Sequence, residues 1–249
     1  MSRFISKIVY KKELVDQIYL VVLEAQQNLK FTPGQFVSLE VAPNAYRSYS
    51  ISHLDSQPFF LVPKDSLLPI AKDKLGAYIT LMVSARAGGL GSQYFKEAKL
   101  GQTLNCLGPA GRFKLSKQTS NNKVFVCTGT GLAPFVAMIK KAFEDQPEIK
   151  IRLFFGSYNR KSDFCQYFYS KPELQNPNLQ VYSCIDKEQF EETKFQKMGQ
   201  VKDVITKTIL RLEDWEYYLC GHPLMVESMQ NFLMQAGLAK DKIFKEAFG

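Results

Sequence analysis

The sequence predicts a two-domain protein in which an antiparallel β-barrel is followed by an α/β domain with a parallel sheet. Up to about residue 115, short segments rich in β-branched and aromatic residues follow one another closely, which is typical of a barrel or a sandwich. Beyond a polar stretch, apolar strands alternate with helix-like segments, as in parallel sheets covered by helices on both faces. We therefore expect domains at 1–115 and 123–249, joined by a linker at 116–122.

The first half contains six predicted strands. Turn-forming pairs such as Pro33-Gly34 and Pro43-Asn44 separate the first of them. The predicted strands are 4–10, 18–24, 35–41, 48–52, 78–84 and 103–107. A turn at Gly108-Pro109-Ala110-Gly111-Arg112-Phe113 is expected to end this half.

The second half alternates between predicted strands and predicted helices. The strands are 124–128, 151–155, 181–184 and 217–220, and the helices are 133–143, 162–169, 201–212 and 224–236. Because the carboxyl ends of parallel strands meet at one edge of a sheet, we expect a ligand to bind at that edge. This half is predicted to be Rossmann-like.

The composition indicates a folded, soluble protein. Hydrophobic residues make up 45% and charged residues 22% of the 249 residues, which excludes a disordered chain. The longest uncharged stretch, 124–139, is too short to span a bilayer. The first 13 residues carry scattered basic side chains instead of the apolar core of a signal peptide. We expect a cytoplasmic location, and the sequence is compatible with a monomer.

Charge and cysteine content restrict the partners. The net charge of +8 suits an acidic electron-carrier protein or a phosphorylated cofactor. The lysines are scattered and accompany no basic–aromatic motif, so nucleic acid is not expected. None of the five cysteines has a zinc-site or iron–sulfur spacing to another, and no metal site is predicted.

Two motifs in the barrel half contain ligand-binding residue types. In Arg47-Ser48-Tyr49-Ser50, strand alternation places Arg47 and Tyr49 on one side. A guanidinium suits a pyrophosphate and a tyrosine offers a flat face to a ring. The second motif, Gly89-Leu90-Gly91-Ser92, opens a predicted helix that can attract phosphate. A plain surface strand, and a helix capped by Ser92, are the alternative interpretations.

Two further motifs lie at strand ends in the second half. Thr128-Gly129-Thr130-Gly131 joins a predicted buried strand to a helix that has Pro134 in its first turn, an arrangement that suits a dinucleotide phosphate. Cys220-Gly221 ends another predicted strand at the same edge. The alternative for Cys220 is a small buried apolar residue.

Five motifs in this order resemble the ferredoxin–NADP reductase superfamily, above all its bacterial flavin reductases and oxygenase reductase components. The similarity covers nearly the whole chain. The patterns R-x-Y-S, G-x-x-S, G-P-x-G-x-F, G-T-G-x-A-P and C-G-x-P begin at Arg47, Gly89, Gly108, Gly129 and Cys220.

The resemblance implies that the first domain binds FAD and the second NADPH or NADH. Arg47, with Ser48 in the same motif and the turn of Gly89, Leu90, Gly91 and Ser92, would hold the FAD pyrophosphate. Tyr49 would lie against the isoalloxazine or ribityl, and Ser50 would face flavin N5. The nicotinamide nucleotide would bind at the strand-end motifs of the second half, namely Thr128, Gly129, Thr130, Gly131, Pro134, Cys220 and Gly221. Among these, Cys220 would contact the nicotinamide.

The resemblance also extends to the C-terminus and to cofactor choice. Glu246 would relay a proton near the flavin and Phe248 would cover its ring, with simple strand pairing as the alternative for both. Three basic residues, Arg160, Lys161 and Lys187, slightly favour NADPH, whereas Asp186 favours NADH. The segment 53–77 is longer than usual for the family, and Phe59, Phe60 and Leu61 would pack near the adenine or form a lid.

The implied activity is hydride transfer from NAD(P)H to N5 of FAD. The reduced flavin would then pass electrons to a ferredoxin, a flavodoxin or an oxygenase. Two alternatives stay open: a reductase of free flavin, and a non-catalytic FAD subunit that only relays electrons.

Overall fold

The computed structural model describes residues 2–55, 77–116, 122–169 and 176–248. The aromatic cluster expected at Phe59, Phe60 and Leu61 lies outside these residues, as does the linker except at its two ends.

The first half forms a closed antiparallel barrel of six strands in the order β1-β2-β5-β4-β3-β6. Pairing of the first strand with the sixth closes it, from Ser2 opposite Gly108 to Lys7 opposite Thr103. One helix, α1, spans Leu90–Glu97, between β5 and β6 in the chain. The strands are Ser2–Val15 (β1), Ile18–Ala25 (β2), Phe36–Ala42 (β3), Ala45–Asp55 (β4), Ala77–Ser84 (β5) and Thr103–Ala110 (β6). The predicted barrel is thereby confirmed.

Alternating side chains of the barrel strands form its core. Ile8, Val21, Val37 and Leu81 are each fully buried there. Phe95 of α1 belongs to the same buried cluster, so this helix is anchored on the barrel by its apolar face.

The second half forms a six-stranded parallel sheet in the order β10-β9-β8-β7-β11-β12. Its strands are Asn122–Thr128 (β7), Ile151–Ser157 (β8), Leu179–Ile185 (β9), Gln196–Met198 (β10), Trp215–Gly221 (β11) and Ile243–Ala247 (β12). The remaining α-helices are Leu132–Asp145 (α2), Gln166–Tyr169 (α3), Val201–Thr208 (α4) and Pro223–Gln235 (α5). The predicted parallel α/β domain is confirmed.

The strand order reverses once, between β7 and β11. From β7 the chain adds β8, β9 and β10 on one side, and it then returns to add β11 and β12 on the other. Such a reversal opens a crevice beyond the carboxyl ends of the two central strands, where ligands of open parallel sheets bind.

Both faces of the central strands are apolar. Val126 and Leu219 pack with Ile205 of α4 and Leu233 of α5 in one buried cluster. The alternate residues form an aromatic row across three strands: the Tyr218 ring stacks on Phe125 at 5.1 Å and on Phe244 at 4.8 Å between centroids. Strands with two apolar faces are expected inside a covered parallel sheet.

Three predicted elements differ from the structure. The turn expected from Gly108 to Phe113 is wrong at its first three residues, because β6 continues to Ala110, which pairs with Phe36. The helix predicted at 162–169 is divided, since the Asp163 carboxylate accepts the Cys165 N–H at 3.0 Å. The helix predicted at 201–212 ends at Thr208, where the backbone becomes extended.

The described chain forms two compact units, each considered separately below. The first comprises Met1–Lys114 with Ala133–Met138, and the second comprises Leu115–Leu132 with Ile139–Gly249. Within the described residues, no helix is both long enough and apolar enough to cross a membrane.

Candidate functional site

The barrel brings its two motifs together at the start of α1. Arg47 and Tyr49 both project from β4 toward Gly91. A Cβ added to Gly91 would overlap the Tyr49 hydroxyl and lie 3.4 Å from Cγ of Arg47. Only glycine therefore allows the helix to approach these two side chains so closely.

The Tyr49 side chain is neutral and partly exposed. Its edge packs against Phe95 with 5.2 Å between centroids and an interplanar angle of 79°. Burial raises the pKa of Tyr49 to about 12, although the nearby Arg47 charge acts in the opposite direction. At neutral pH the side chain consequently offers an uncharged ring and a hydroxyl proton.

The first turn of α1 is open to an anion. Gly89 is the N-cap and no side chain caps the helix in the described structure, so the alternative of a Ser92 cap is wrong. Ser92 is instead the third helical residue and is buried. A Cβ on Gly88 or Gly89 would meet no described atom within 4 Å. With the exposed guanidinium of Arg47 beside it, this turn suits a pyrophosphate.

The two serines of the same motif have different surroundings. The Ser48 hydroxyl lies 3.0 Å from the hydroxyl of Ser38, its cross-strand partner on β3. Ser50 is 6% exposed and pairs with Phe36. Ser48 therefore has a structural partner, and Ser50 lies at the edge of the buried barrel.

At the switch point of the sheet, the turns after β7 and β11 pack backbone to backbone. A Cβ on Gly131 would overlap the Cys220 carbonyl, and one on Gly221 would lie 2.6 Å from the Thr128 oxygen atoms. The His222 N–H donates to the Thr128 hydroxyl at 3.1 Å. Both glycines are thus required where the two strand ends meet.

The Gly129–Gly131 turn leads directly into α2. No side chain caps the turn or the helix in the described chain, and Pro134 is the third residue of α2, where its missing N–H costs no hydrogen bond. The backbone N–H groups of this turn lie at the carboxyl edge of the sheet. This arrangement suits the diphosphate of a dinucleotide.

Cys220 and Glu246 are direct neighbours on β11 and β12. Cys220 is fully buried, and this burial raises the pKa of its thiol well above the ordinary value, with the charge of Glu246 adding to the effect. The group is a neutral thiol at physiological pH. The Phe248 N–H donates to the Gly221 carbonyl at 2.9 Å, so the chain end lies beside the switch point.

The basic residues expected near an adenosine phosphate are partly neutralised. Arg160 Nε lies 2.6 Å from Glu188 Oε1, and Lys187 Nζ lies 3.5 Å from Asp186 Oδ2. Sequence reasoning missed Glu188, whose only signal was its position just beyond Asp186-Lys187. The pairing of Glu188 with Arg160 depends on a contact between two loops that are 28 residues apart.

Comparison with known proteins finds a family match in each half of the chain. Residues 125–231 match the oxidoreductase NAD-binding domain, and residues 65–115 match the oxidoreductase FAD-binding domain. The chain belongs to the ferredoxin–NADP reductase superfamily. Within this superfamily, a barrel that binds FAD precedes the sheet domain that binds the nicotinamide nucleotide.

Two relatives in this superfamily serve dioxygenases. The ferredoxin–NAD(P)+ reductase component of the naphthalene 1,2-dioxygenase system of Pseudomonas putida is 28% identical over 88% of this chain and 61% of its own length. The anthranilate 1,2-dioxygenase electron transfer component of Acinetobacter baylyi is also 28% identical, over 98% of this chain and 67% of its own. The chain therefore spans about two thirds of each relative or less.

Solved structures agree on the fold. The cytochrome P450 reductase GcoB of Amycolatopsis superposes with a TM-score of 0.81 at 22% identity, covering 99% of this chain and 70% of that one. The ferredoxin reductase of carbazole 1,9a-dioxygenase gives 0.78 at the same identity, with 99% and 69% covered.

Proposed function

We propose that this protein takes a hydride from NADPH or NADH onto bound FAD and passes the electrons to a protein acceptor. The proposal rests on two groups of residues, one in each unit, that are each suited to bind a phosphate group. Arg47 and Tyr49 meet the Gly91 turn in the barrel, and Gly131 meets Cys220 at the switch point of the sheet. One phosphate-bearing cofactor in each unit is the simplest use of these sites.

In the barrel, the proposed role of the protein is to hold and orient FAD. The Arg47 guanidinium and the N–H groups of Leu90, Gly91 and Ser92 would neutralise the pyrophosphate. Tyr49 would lie against the ring system or the ribityl, and the Ser50 hydroxyl would donate a hydrogen bond toward N5. When bound, FAD supplies the hydride-accepting chemistry.

In the sheet unit, the Thr128–Gly131 turn with Pro134 would hold the diphosphate of the nucleotide. Cys220 and Gly221 would contact the nicotinamide. Because the buried thiol stays protonated, Cys220 would act by shape and weak polarity and not as a nucleophile. Glu246 would hold a proton at its carboxylate, and Phe248 would cover the ring position until the nucleotide arrives.

The proposed acceptor is a ferredoxin or flavodoxin-type carrier or an oxygenase component. The net charge of +8 favours an acidic partner. The two relatives described above are named as a ferredoxin–NAD(P)+ reductase component and an electron transfer component of dioxygenase systems. Reduction of free flavin, and electron relay without nucleotide oxidation, are the alternatives.

The choice between NADPH and NADH stays a prediction. Three basic residues slightly favour NADPH, namely Arg160, Lys161 and Lys187. Arg160 and Lys187 each contact a carboxylate, and this contact reduces their attraction for an additional phosphate.

Two variants separate the two sites experimentally. Arg47→Ala should release FAD, because the pyrophosphate loses a charge-assisted partner, and equilibrium dialysis would measure this release. Cys220→Ala should retain FAD but slow its reduction by NAD(P)H in anaerobic stopped-flow measurements. Reduction of the Cys220→Ala protein at the wild-type rate would remove Cys220 from the proposed site.

A further inference from the structure

We propose that Glu188 is a specificity-determining residue that occupies an anion site around Arg160 and thereby disfavours a 2′-phosphate on the adenosine ribose of the nucleotide. This inference rests on the proposed use of NADH or NADPH and adds the residue that discriminates between them.

Glu188 binds Arg160 with both carboxylate oxygens. The Arg160 backbone N–H donates to Oε2 at 2.8 Å, and Nε of the guanidinium donates to Oε1 at 2.6 Å. Charge-assisted contacts of this kind are the ones that arginine makes to phosphate. The carboxylate therefore takes the place on Arg160 that a phosphate group would need.

The surroundings of the pair reinforce its charge pattern. Two hydrogen bonds from Arg160, first from its backbone and then from its side chain, lower the pKa of Glu188, and the charge of Lys161 contributes in the same direction. Glu188 is consequently ionised at neutral pH. The guanidinium also lies over the Phe190 ring at 5.3 Å from its centroid, which restricts its orientation.

The pair lies at the carboxyl edge of the sheet, next to the proposed diphosphate turn. Thr128 of β7 pairs with Gly156 of β8, the residue before Ser157 at the end of that strand. Two backbone hydrogen bonds join the following loops, from Asp186 N–H to the Ser157 carbonyl at 3.0 Å and from Lys187 N–H to the Tyr158 carbonyl at 2.9 Å. These bonds bring Glu188 to Arg160.

In dinucleotide-binding sheets, an acidic residue near this edge accepts a hydrogen bond from the ribose 2′-hydroxyl, whereas an arginine accommodates a 2′-phosphate. This chain supplies both groups and joins them to each other. A 2′-phosphate would have to displace the Glu188 carboxylate from Arg160 and would then lie close to its negative charge. A ribose that carries a free 2′-hydroxyl has neither cost.

The pair is also suitable for mutation. The side chains of Arg160 and Glu188 are 52% and 27% exposed, and exposed ion pairs contribute little to stability. Arg211 and Glu213 form a comparable exposed pair, with Nε 3.0 Å from Oε1, before the start of β11. Because that position is at the opposite end of the strand from the switch point, Glu213→Ala is a matched control.

The test measures the binding of adenosine 2′,5′-bisphosphate and of ADP to the FAD-loaded protein by calorimetry. Glu188→Ala and Glu188→Gln should each tighten binding of the bisphosphate about tenfold, or ~1.4 kcal/mol. ADP affinity should stay within about twofold. Adding Arg160→Ala to Glu188→Ala should abolish the gain, and Glu213→Ala should produce none.

Three results would overturn the inference: no gain in bisphosphate affinity without Glu188, an equal gain for ADP, or the same gain in the Glu213→Ala control. Binding needs no hydride transfer, so the outcome is separable from the proposed activity. If the wild-type protein binds ADP but does not reduce FAD, the activity fails while the specificity result stands. If neither ligand binds any variant, the inference fails, and reduction of FAD by NADPH or NADH in stopped-flow measurements decides the proposed activity separately.

Discussion

Gly91 shows how one residue can define a cofactor site by its lack of a side chain. Its position in the first turn of α1 leaves room for the Tyr49 hydroxyl and the Arg47 stem. The approach fixes both side chains of the R-x-Y-S motif against the open end of the helix. A larger residue would separate the two halves of the site.

Gly91→Ala is therefore expected to weaken FAD binding. Overpacking of this kind typically costs ~1–3 kcal/mol, which corresponds to about a fivefold to hundredfold loss of affinity if the strain is expressed at the site. Fluorescence titration of the apoprotein with FAD would measure it. Because the overlap is with the Tyr49 hydroxyl, Tyr49→Phe should recover part of what Gly91→Ala loses, so that Gly91→Ala costs less affinity in the Tyr49→Phe background than in the wild-type protein. No recovery would indicate that the clash lies elsewhere.

At the scale of elements, β7 and β11 are joined by a buried ion pair at the end opposite to the switch point. Lys123 Nζ lies 2.9 Å from Glu216 Oε2, and the two residues are register partners with side chains 4% and 2% exposed. The Tyr218 hydroxyl donates to the same oxygen at 2.9 Å, and the Ser116 hydroxyl donates to Oε1 at 2.8 Å. This network holds Ser116 against the sheet.

Glu216→Gln should destabilise the protein by ~3–5 kcal/mol, since removing one partner of a buried pair leaves the charge of Lys123 uncompensated. Glu213→Gln, which removes an exposed carboxylate paired with Arg211, should leave stability nearly unchanged. Urea unfolding followed by circular dichroism would compare the two variants. Equal effects would contradict the assignment of Glu216 as the structural anchor.

The same network predicts a pH dependence. Burial acts to raise the pKa of Glu216, but hydrogen bonds from Lys123, Ser116 and Tyr218 outweigh it and the net pKa is lowered. A lowered pKa in the folded state means that the stabilisation is present above the unfolded value of about 4.3 and is lost as pH falls through the folded value. Wild-type stability should therefore fall more steeply than that of Glu216→Gln below about pH 5. Parallel curves would contradict this role.

At the scale of the whole molecule, sequence periodicity was sufficient for the fold class. The short apolar strands before residue 115 and the alternation after 123 predicted a barrel and a parallel sheet, and both are confirmed. The closing pair of β1 with β6 was not predictable, because it joins segments about a hundred residues apart. For the same reason the continuation of β6 to Ala110, which pairs with Phe36, was mistaken for a turn.

Long-range contacts also explain what the sequence left open at the sites. Glycine motifs predicted where the backbone is exposed, but the overlap of Gly91 with Tyr49 depends on how α1 packs on β4. The basic residues Arg160 and Lys187 suggested a phosphate partner, whereas the fold gives each of them a carboxylate. Asp186 is the sequence neighbour of Lys187, but the neutralisation of Arg160 is not predictable from a local pattern, since its partner Glu188 lies in a separate loop.

The most direct test of the central claim is anaerobic stopped-flow mixing of the FAD-loaded protein with NADPH and, separately, with NADH. We predict that the protein retains FAD and that its visible flavin absorption is lost on mixing with at least one of the two nucleotides. A protein that retains FAD but is reduced by neither nucleotide would contradict the proposed activity and support an electron-relay subunit. A protein that cannot be loaded with FAD would contradict the account of the barrel site itself.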